Sequence, residues 1–80
     1  MLLDVIHVEA RKNYQLILEF ENQERRVFDM SPYLDIGVFR KLKDLRLFQA
    51  AYVRGGTVVW PGEIDIAPET LYMESIRFGQ

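Results

Sequence analysis

The chain has 80 residues and no cysteine, and its 10 Lys and Arg against 12 Asp and Glu give a formal charge of −2. This length fits one domain over residues 1–80. The lack of cysteine excludes disulfides and thiolate metal sites, and the slightly acidic balance gives no global attraction to nucleic acid. Residue 4 is an acid where a signal peptide would be apolar, and no stretch approaches the ~20 apolar residues of a membrane span. We therefore expect a cytoplasmic protein without a membrane partner.

The first third of the chain predicts a three-strand antiparallel meander. Residues 2–8 are rich in Leu, Val and Ile and indicate a first strand. In residues 14–20 every second side chain, from Tyr14 to Phe20, is apolar, which is the pattern of a half-buried strand. The polar residues 21–24 fit a hairpin turn, and residues 25–30 return as the third strand.

The middle of the chain predicts one short helix. Residues 37–50 do not form a clean amphipathic pattern, because Lys41 falls inside the apolar arc and Leu47 lies opposite it. We interpret residues 38–43 as a loose segment. Asp44 is a suitable N-cap for a short helix that follows it.

The last third predicts a second hairpin and a C-terminal helix. Gly55 and Gly56 separate two β-forming runs, which is a strong signal for a two-residue hairpin turn. Pro68 suits the first position of a helix that ends near residue 74, with Glu69 in its first turn. Residues 75–80 either trail off or add an edge strand.

The predicted fold class is therefore α+β. It consists of an N-terminal three-strand antiparallel meander, a short helix, a second β-hairpin and a short C-terminal helix, with at least five strands in all. The apolar positions of these elements predict a core of Leu16, Leu18, Phe20, Phe28, Leu45, Phe48, Val58 and Leu71.

Five runs of the sequence resemble the DUF2442 family of small bacterial domains. They are TVVWP at residues 57–61 with DI-x-PE-x-LY at 65–72, Y-x-L-x-L-x-F at 14–20 with RVFDMSP at 26–32, and LKD-x-x-x-F at 42–48. Family members often carry Asn-Gly after Trp-Pro, whereas Gly62 and Glu63 stand here. The family has no assigned function. The resemblance implies a small α+β domain, and some similar proteins are fused to helix-turn-helix regions or encoded beside small proteins in toxin–antitoxin-like pairs.

Few residues suggest catalysis. His7 is the only histidine, and a single imidazole in an apolar strand is more often structural than catalytic. Nucleophilic catalysis needs an activated Ser, Thr or Cys beside a base, but Ser31 and Ser75 lie in no nucleophile motif. Asp29 is expected to bond turn amides. The sequence has no Gly-rich phosphate loop, so we expect no cofactor and no enzymatic activity.

Two sets of charged residues could bind ions. Glu63, Asp65 and Glu69 are the densest acids, but their spacing matches no calcium loop, and whether they bind a metal stays open. Arg40, Lys43 and Arg46 follow an i, i+3, i+6 spacing and could contact phosphate or an acidic partner. A solvated surface is the simpler interpretation of this basic set.

The aromatic residues Tyr52, Trp60 and Tyr72, together with Pro61, are candidates for a protein contact, because Trp and Tyr are enriched at interface hot spots. In so small a domain, however, a lone Trp is more often a core residue than a contact residue. If it is partly exposed, Trp60 beside the Pro61 turn is the first candidate contact.

The leading functional hypothesis is a non-catalytic protein-interaction module, such as an antitoxin-like or regulatory partner of another small bacterial protein. Its partner would be another protein or a second copy, with a homodimer the simplest outcome. The alternative is a nucleic-acid-associated regulator that uses Arg40, Lys43 and Arg46, with nucleic acid bound weakly or indirectly. A small enzyme of unknown reaction ranks third.

Overall fold

Two antiparallel sheets make up the fold, and the structure, a computed structural model, describes residues 3–77. The first sheet has four strands in the order β1-β2-β3-β7. The predicted meander is confirmed, and the last strand adds an edge to it. The strands are β1 (Val5–Ala10), β2 (Gln15–Phe20), β3 (Arg25–Asp29) and β7 (Ile76–Arg77). The first strand starts and ends later than predicted, and residues 1, 2 and 78–80 lie outside the described residues.

The second sheet has three strands in the order β4-β5-β6. They are β4 (Tyr52–Arg54), β5 (Thr57–Trp60) and β6 (Ile64–Asp65). The predicted hairpin is confirmed: Arg54 pairs with Thr57, and Gly55 and Gly56 turn the chain with φ of 61° and 80°. Positive φ at both central residues is typical of a two-residue hairpin turn.

A helical segment connects the two sheets. It contains 3-10 turns at Ser31–Tyr33 and Gly37–Lys43, followed by α1 (Leu45–Phe48). As predicted, Asp44 caps α1, because its Oδ1 accepts a hydrogen bond of 3.0 Å from the Arg46 amide. The second helix, α2 (Pro68–Met73), begins at the predicted proline. No helix within residues 3–77 has the length and apolarity needed to cross a membrane.

The core lies between the two sheets and the helices. Seven of the eight predicted core residues are buried, whereas Leu45 is half-buried at the start of α1 and packs against the core from its edge. The predicted core omitted several further buried residues. These are Val5, Met30, Leu34, Leu42, Ile64 and Ile66.

An aromatic row fixes the connecting segment to both sheets. Phe48 lies between Tyr14 and Trp60, with ring centroids 5.1 Å and 6.2 Å away. The Tyr14 hydroxyl donates to the Lys43 carbonyl, and the Trp60 Nε1 donates to the Phe48 carbonyl at 2.9 Å. Each ring thus buries apolar area while its polar atom bonds to the backbone of the segment.

Gly56 joins the second sheet to the first. Its carbonyl accepts a hydrogen bond of 2.9 Å from the Val5 amide at the start of β1. A Cβ at Gly56 would lie 2.5 Å from Asp4 Oδ1 and 3.2 Å from Asp4 Cβ, whereas a Cβ at Gly55 would meet no atom within 4 Å. Both glycines have positive φ, but Gly56 alone of the two also makes a close approach.

Gly56→Ala should therefore destabilise the protein more than Gly55→Ala. Each substitution forces alanine into the left-handed region, at roughly 1–2 kcal/mol, and Gly56→Ala also displaces Asp4. Urea denaturation measures both. The additional loss of unfolding free energy at position 56 should become smaller when Asp4→Ala is introduced into the Gly56→Ala protein. Equal losses at the two positions, with no effect of Asp4→Ala, would contradict this docking contact.

Candidate functional site: the outward face of the second sheet

A shallow depression covers the face of the second sheet that points away from the core. We call it the outer basin; it has a volume of about 780 Å³. Strand alternation explains most of its lining, because Val58, Trp60 and Ile64 point inward and are buried. The outward residues that line it are Tyr52, Arg54, Thr57, Val59, Glu63 and Asp65, and Gly55, Gly62 and the buried Trp60 and Ile64 also border it.

The strand register orders the outer basin into rows. Tyr52 pairs with Val59, and Val59 pairs with Asp65, so these three side chains cross the sheet in one line. Arg54 and Thr57 form the next pair towards the Gly55 turn. Glu63 lies at the opposite end, in the turn between β5 and β6.

The charges of the outer basin are separated by sign. Arg54 lies near the Gly55 turn on the edge strand β4. The carboxylate of Asp65 lies on the opposite edge strand, β6, and that of Glu63 lies in the turn between β5 and β6. Within residues 3–77, none of these three side chains takes part in an ion pair or hydrogen bond. The Thr57 hydroxyl is already engaged, since it donates to the Ile66 carbonyl. The outer basin therefore presents an exposed aromatic ring and three charges that the described fold does not use.

Glu63 has an unusual backbone for its residue type. Its φ is +63° and follows a φ of +93° at Gly62. A non-glycine residue in this region costs roughly 1–2 kcal/mol. The chain thus holds a carboxylate at the end of the outer basin at a backbone position that favours glycine.

A second depression, the β1–β4 groove, borders Tyr52 on the other side. It has a volume of about 260 Å³ and is lined by Ile6, His7, Val8, Ala51, Tyr52 and Val53. The edges of β1 and β4 face each other here. Residues that flank β4 hold the groove at both ends: the Gly56 carbonyl accepts a hydrogen bond from the Val5 amide, and Gln49 Nε2 donates to the Ala10 carbonyl at 3.5 Å.

His7 is exposed rather than buried in an apolar strand. The register of β1 against β2 shifts between Val5 and His7, and this bulge turns Ile6 and His7 towards solvent. Its imidazole has no hydroxyl partner within the described residues. Ser75 donates instead to the Tyr72 carbonyl at 3.0 Å. As predicted, Asp29 bonds a turn amide, that of Ser31, at 3.0 Å.

The predicted contact residues differ in their exposure. Trp60 is only 1% exposed, which confirms its interpretation as a core residue: its indole packs against Phe48, and the partial exposure that a contact role required is not found. Tyr52 is 42% exposed, and Pro61 is exposed at the turn that follows β5. Tyr72 is half-buried, and its hydroxyl donates to Glu24 Oε1 at 2.9 Å. Tyr52 and Pro61 remain predicted contacts.

The predicted basic set does not lie on one helix. The 3-10 turn at Gly37–Lys43 ends before Asp44, whose ψ of 108° is extended, so Arg46 belongs to a separate helix. Lys43 pairs with Asp35, and this hydrogen bond and its charge lower the pKa of Asp35. Arg40 Nε donates to the Gly37 carbonyl at 3.2 Å. Two of the three cations are thus engaged locally.

The acidic set is also divided. Glu63 and Asp65 line the outer basin, whereas Glu69 lies in the first turn of α2. Residues 3–77 contain no group of three or more His, Asp or Glu side chains arranged to hold a metal ion.

A polar network away from the outer basin holds α2 and β7 to the meander. Glu24 accepts hydrogen bonds from Asn22, from Tyr72 and from Arg26, the last at 2.8 Å. Arg26 also lies 4.0 Å from the Tyr72 ring centroid. The hydrogen bonds from Asn22 and Tyr72, followed by those from Arg26 and its charge, lower the pKa of Glu24 to about 2. Tyr72 is therefore a structural residue of this network.

These features define a small α+β domain with one open, charge-divided sheet face. The family comparison matches residues 5–77 to DUF2442, described as a protein of unknown function. The chain belongs to the DUF2442 family. The comparisons with curated proteins and with solved structures gave no significant match.

The Glu24 network predicts a loss of stability in acid. Folding lowers the pKa of Glu24 from 4.5 to about 2. The ionised Glu24 therefore stabilises the fold fully above about pH 5, and this stabilisation is lost as the pH falls towards 2. Glu24→Gln should lower the stability at pH 7 and flatten the decline below pH 5. Urea denaturation across this range measures both effects.

Glu69→Gln is the matched control for this prediction, because Glu69 is an exposed carboxylate of α2 outside the network. It should retain the acid dependence of the unsubstituted protein. An unchanged decline in Glu24→Gln would show that the network does not stabilise the fold.

Proposed function

We propose that this chain is a non-catalytic protein-interaction module that binds another protein, or a second copy of itself, through the outer basin. The observation that carries the proposal is the combination of an exposed Tyr52 with the uncommitted charges of Arg54, Glu63 and Asp65. Concave surfaces with an aromatic residue and a few convergent polar groups are typical of recognition sites.

Apolar area beside the outer basin supports a protein partner. Ile6 is 50% exposed and Tyr52 is 42% exposed, and both line the β1–β4 groove. Pro61 adds a rigid exposed residue at the other end of the sheet. A partner that covers the outer basin and the groove would remove these apolar surfaces from water, which favours association.

The open edge of β6 offers backbone groups to the same partner. In the described sheet β6 has β5 as its neighbour on one side and no strand on the other. An extended segment can add to such an edge by backbone hydrogen bonds. A homodimer is the simplest form of this contact, because one self-complementary surface then suffices.

The biological role that we propose is regulatory or antitoxin-like, in the cytoplasm, towards another small protein. Its support is the gene context that the family resemblance implies. The nucleic-acid alternative has less support, since Arg40 and Lys43 are engaged with groups of their own segment.

Photo-crosslinking in the native host tests the proposal. The cross-linking amino acid p-benzoylphenylalanine is placed at Tyr52 and, separately, at Pro61 in the full chain. Irradiation should give a discrete product with one protein or with a second copy. Lys12, which is exposed in the turn after β1, is the control position and should give no discrete product.

The proposal would be abandoned if Tyr52 and Pro61 gave no product above the Lys12 control while the purified chain sedimented as a monomer. A product formed equally from all three positions would indicate random collision rather than a defined surface.

A further inference from the structure

The outer basin has an arrangement of charge that restricts what can bind there. Arg54 and Asp65 lie on opposite edge strands of the second sheet, with the central strand β5 between them. Their row positions differ by two residues along the sheet, because Asp65 shares the row of Tyr52 and Arg54 lies in the next row. Two strand spacings and two residue rises separate their Cα atoms by about 12 Å.

This separation matches an extended peptide. Side chains at positions i, i+2 and i+4 of an extended strand point to the same side, and positions i and i+4 are about 13 Å apart. An acidic side chain at one end would then reach Arg54, while a basic side chain at the other would reach Asp65. The side chain at i+2 would lie midway along this diagonal, over β5 between Thr57 and Val59.

Two neighbouring residues strengthen the separation of positive and negative charge between Arg54 and Asp65. Glu63 adds a second carboxylate beyond the row of Asp65, at the end of the sheet opposite Arg54. The Tyr52 ring can also receive a cation on its face. A segment with only acidic or only basic residues would place one of its charges against a like charge of the outer basin.

We propose that the outer basin binds an extended segment of a partner protein that carries an acidic and a basic residue four positions apart, with an aliphatic residue midway between them. The proposal rests on the interaction function above and specifies the chemistry of the partner. A diagonal course across the sheet, from Arg54 to Asp65, follows from it.

Four synthetic peptides test this chemistry. They share the frame X-Thr-Val-Thr-Z with capped ends, and X and Z are Glu and Lys, Glu and Glu, Lys and Lys, or Gln and Gln. Titration into ¹⁵N-labelled full chain should shift the amides of β4, β5 and β6. The Glu/Lys peptide should bind most tightly, since each exposed ion pair strengthens binding by up to about fivefold.

Protein variants separate the two ends. Arg54→Gln should abolish the advantage of a Glu over a Gln in the peptide and keep the advantage of a Lys. Asp65→Asn should abolish the advantage of the Lys and keep that of the Glu. Arg46→Gln and Glu69→Gln are matched controls, because they remove exposed charges outside the outer basin and should keep the full preference.

The outcomes distinguish this inference from the function on which it rests. Equal binding of all four peptides in the outer basin would overturn the charge inference and leave the interaction function standing. If the peptides shifted only amides outside the second sheet, or none, while Tyr52 still formed cross-links, the charge inference alone would be overturned. Loss of both the shifts and the cross-links would overturn both proposals.

Discussion

The contact between Phe48 and Trp60 is the interaction on which the arrangement of the two sheets depends. The rings stack with centroids 6.2 Å apart, and the indole Nε1 donates to the Phe48 carbonyl at 2.9 Å. A buried indole N–H without a partner would be costly, and α1, with four residues, is too short to be stable alone. The contact therefore satisfies the indole and holds α1 against β5. Tyr14 extends the same row to the first sheet.

The burial of Trp60 determines which face of the second sheet is open. Side chains alternate along β5, so a buried Val58 and Trp60 require Thr57 and Val59 to point outward. Cross-strand pairing then brings Tyr52 and Asp65 beside Val59. The residue that sequence reasoning proposed as a contact thus acts indirectly: its inward position orients the outer basin, and Tyr52 takes the exposed aromatic role.

Features governed by nearby residues were predictable from the sequence. The Gly55-Gly56 turn, the Asp44 cap and the Pro68 helix start each depend on local backbone preferences. The hydrogen bond that anchors the Trp60 indole was not predictable, because its partner carbonyl lies 12 residues away. Likewise, Ile17 is 5% exposed although it faces away from the core, where it lies among Glu19 of its own strand and His7, Glu9 and Arg25 of the neighbouring strands. The outer basin itself arises from the pairing of three short strands, and β6, with two residues, carries too little pattern to predict.

The most direct test of this account is the hydrogen exchange rate of the Trp60 indole N–H, measured by ¹H–¹⁵N NMR on the native protein. Trp60 is the only tryptophan, so its indole resonance needs no further assignment. We expect the indole N–H to exchange as slowly as the best-protected backbone amides of β2, because both groups would exchange only through global unfolding. Exchange at the rate of a free indole would contradict it, because Trp60 would then be open to solvent and the orientation of the second sheet would be wrong.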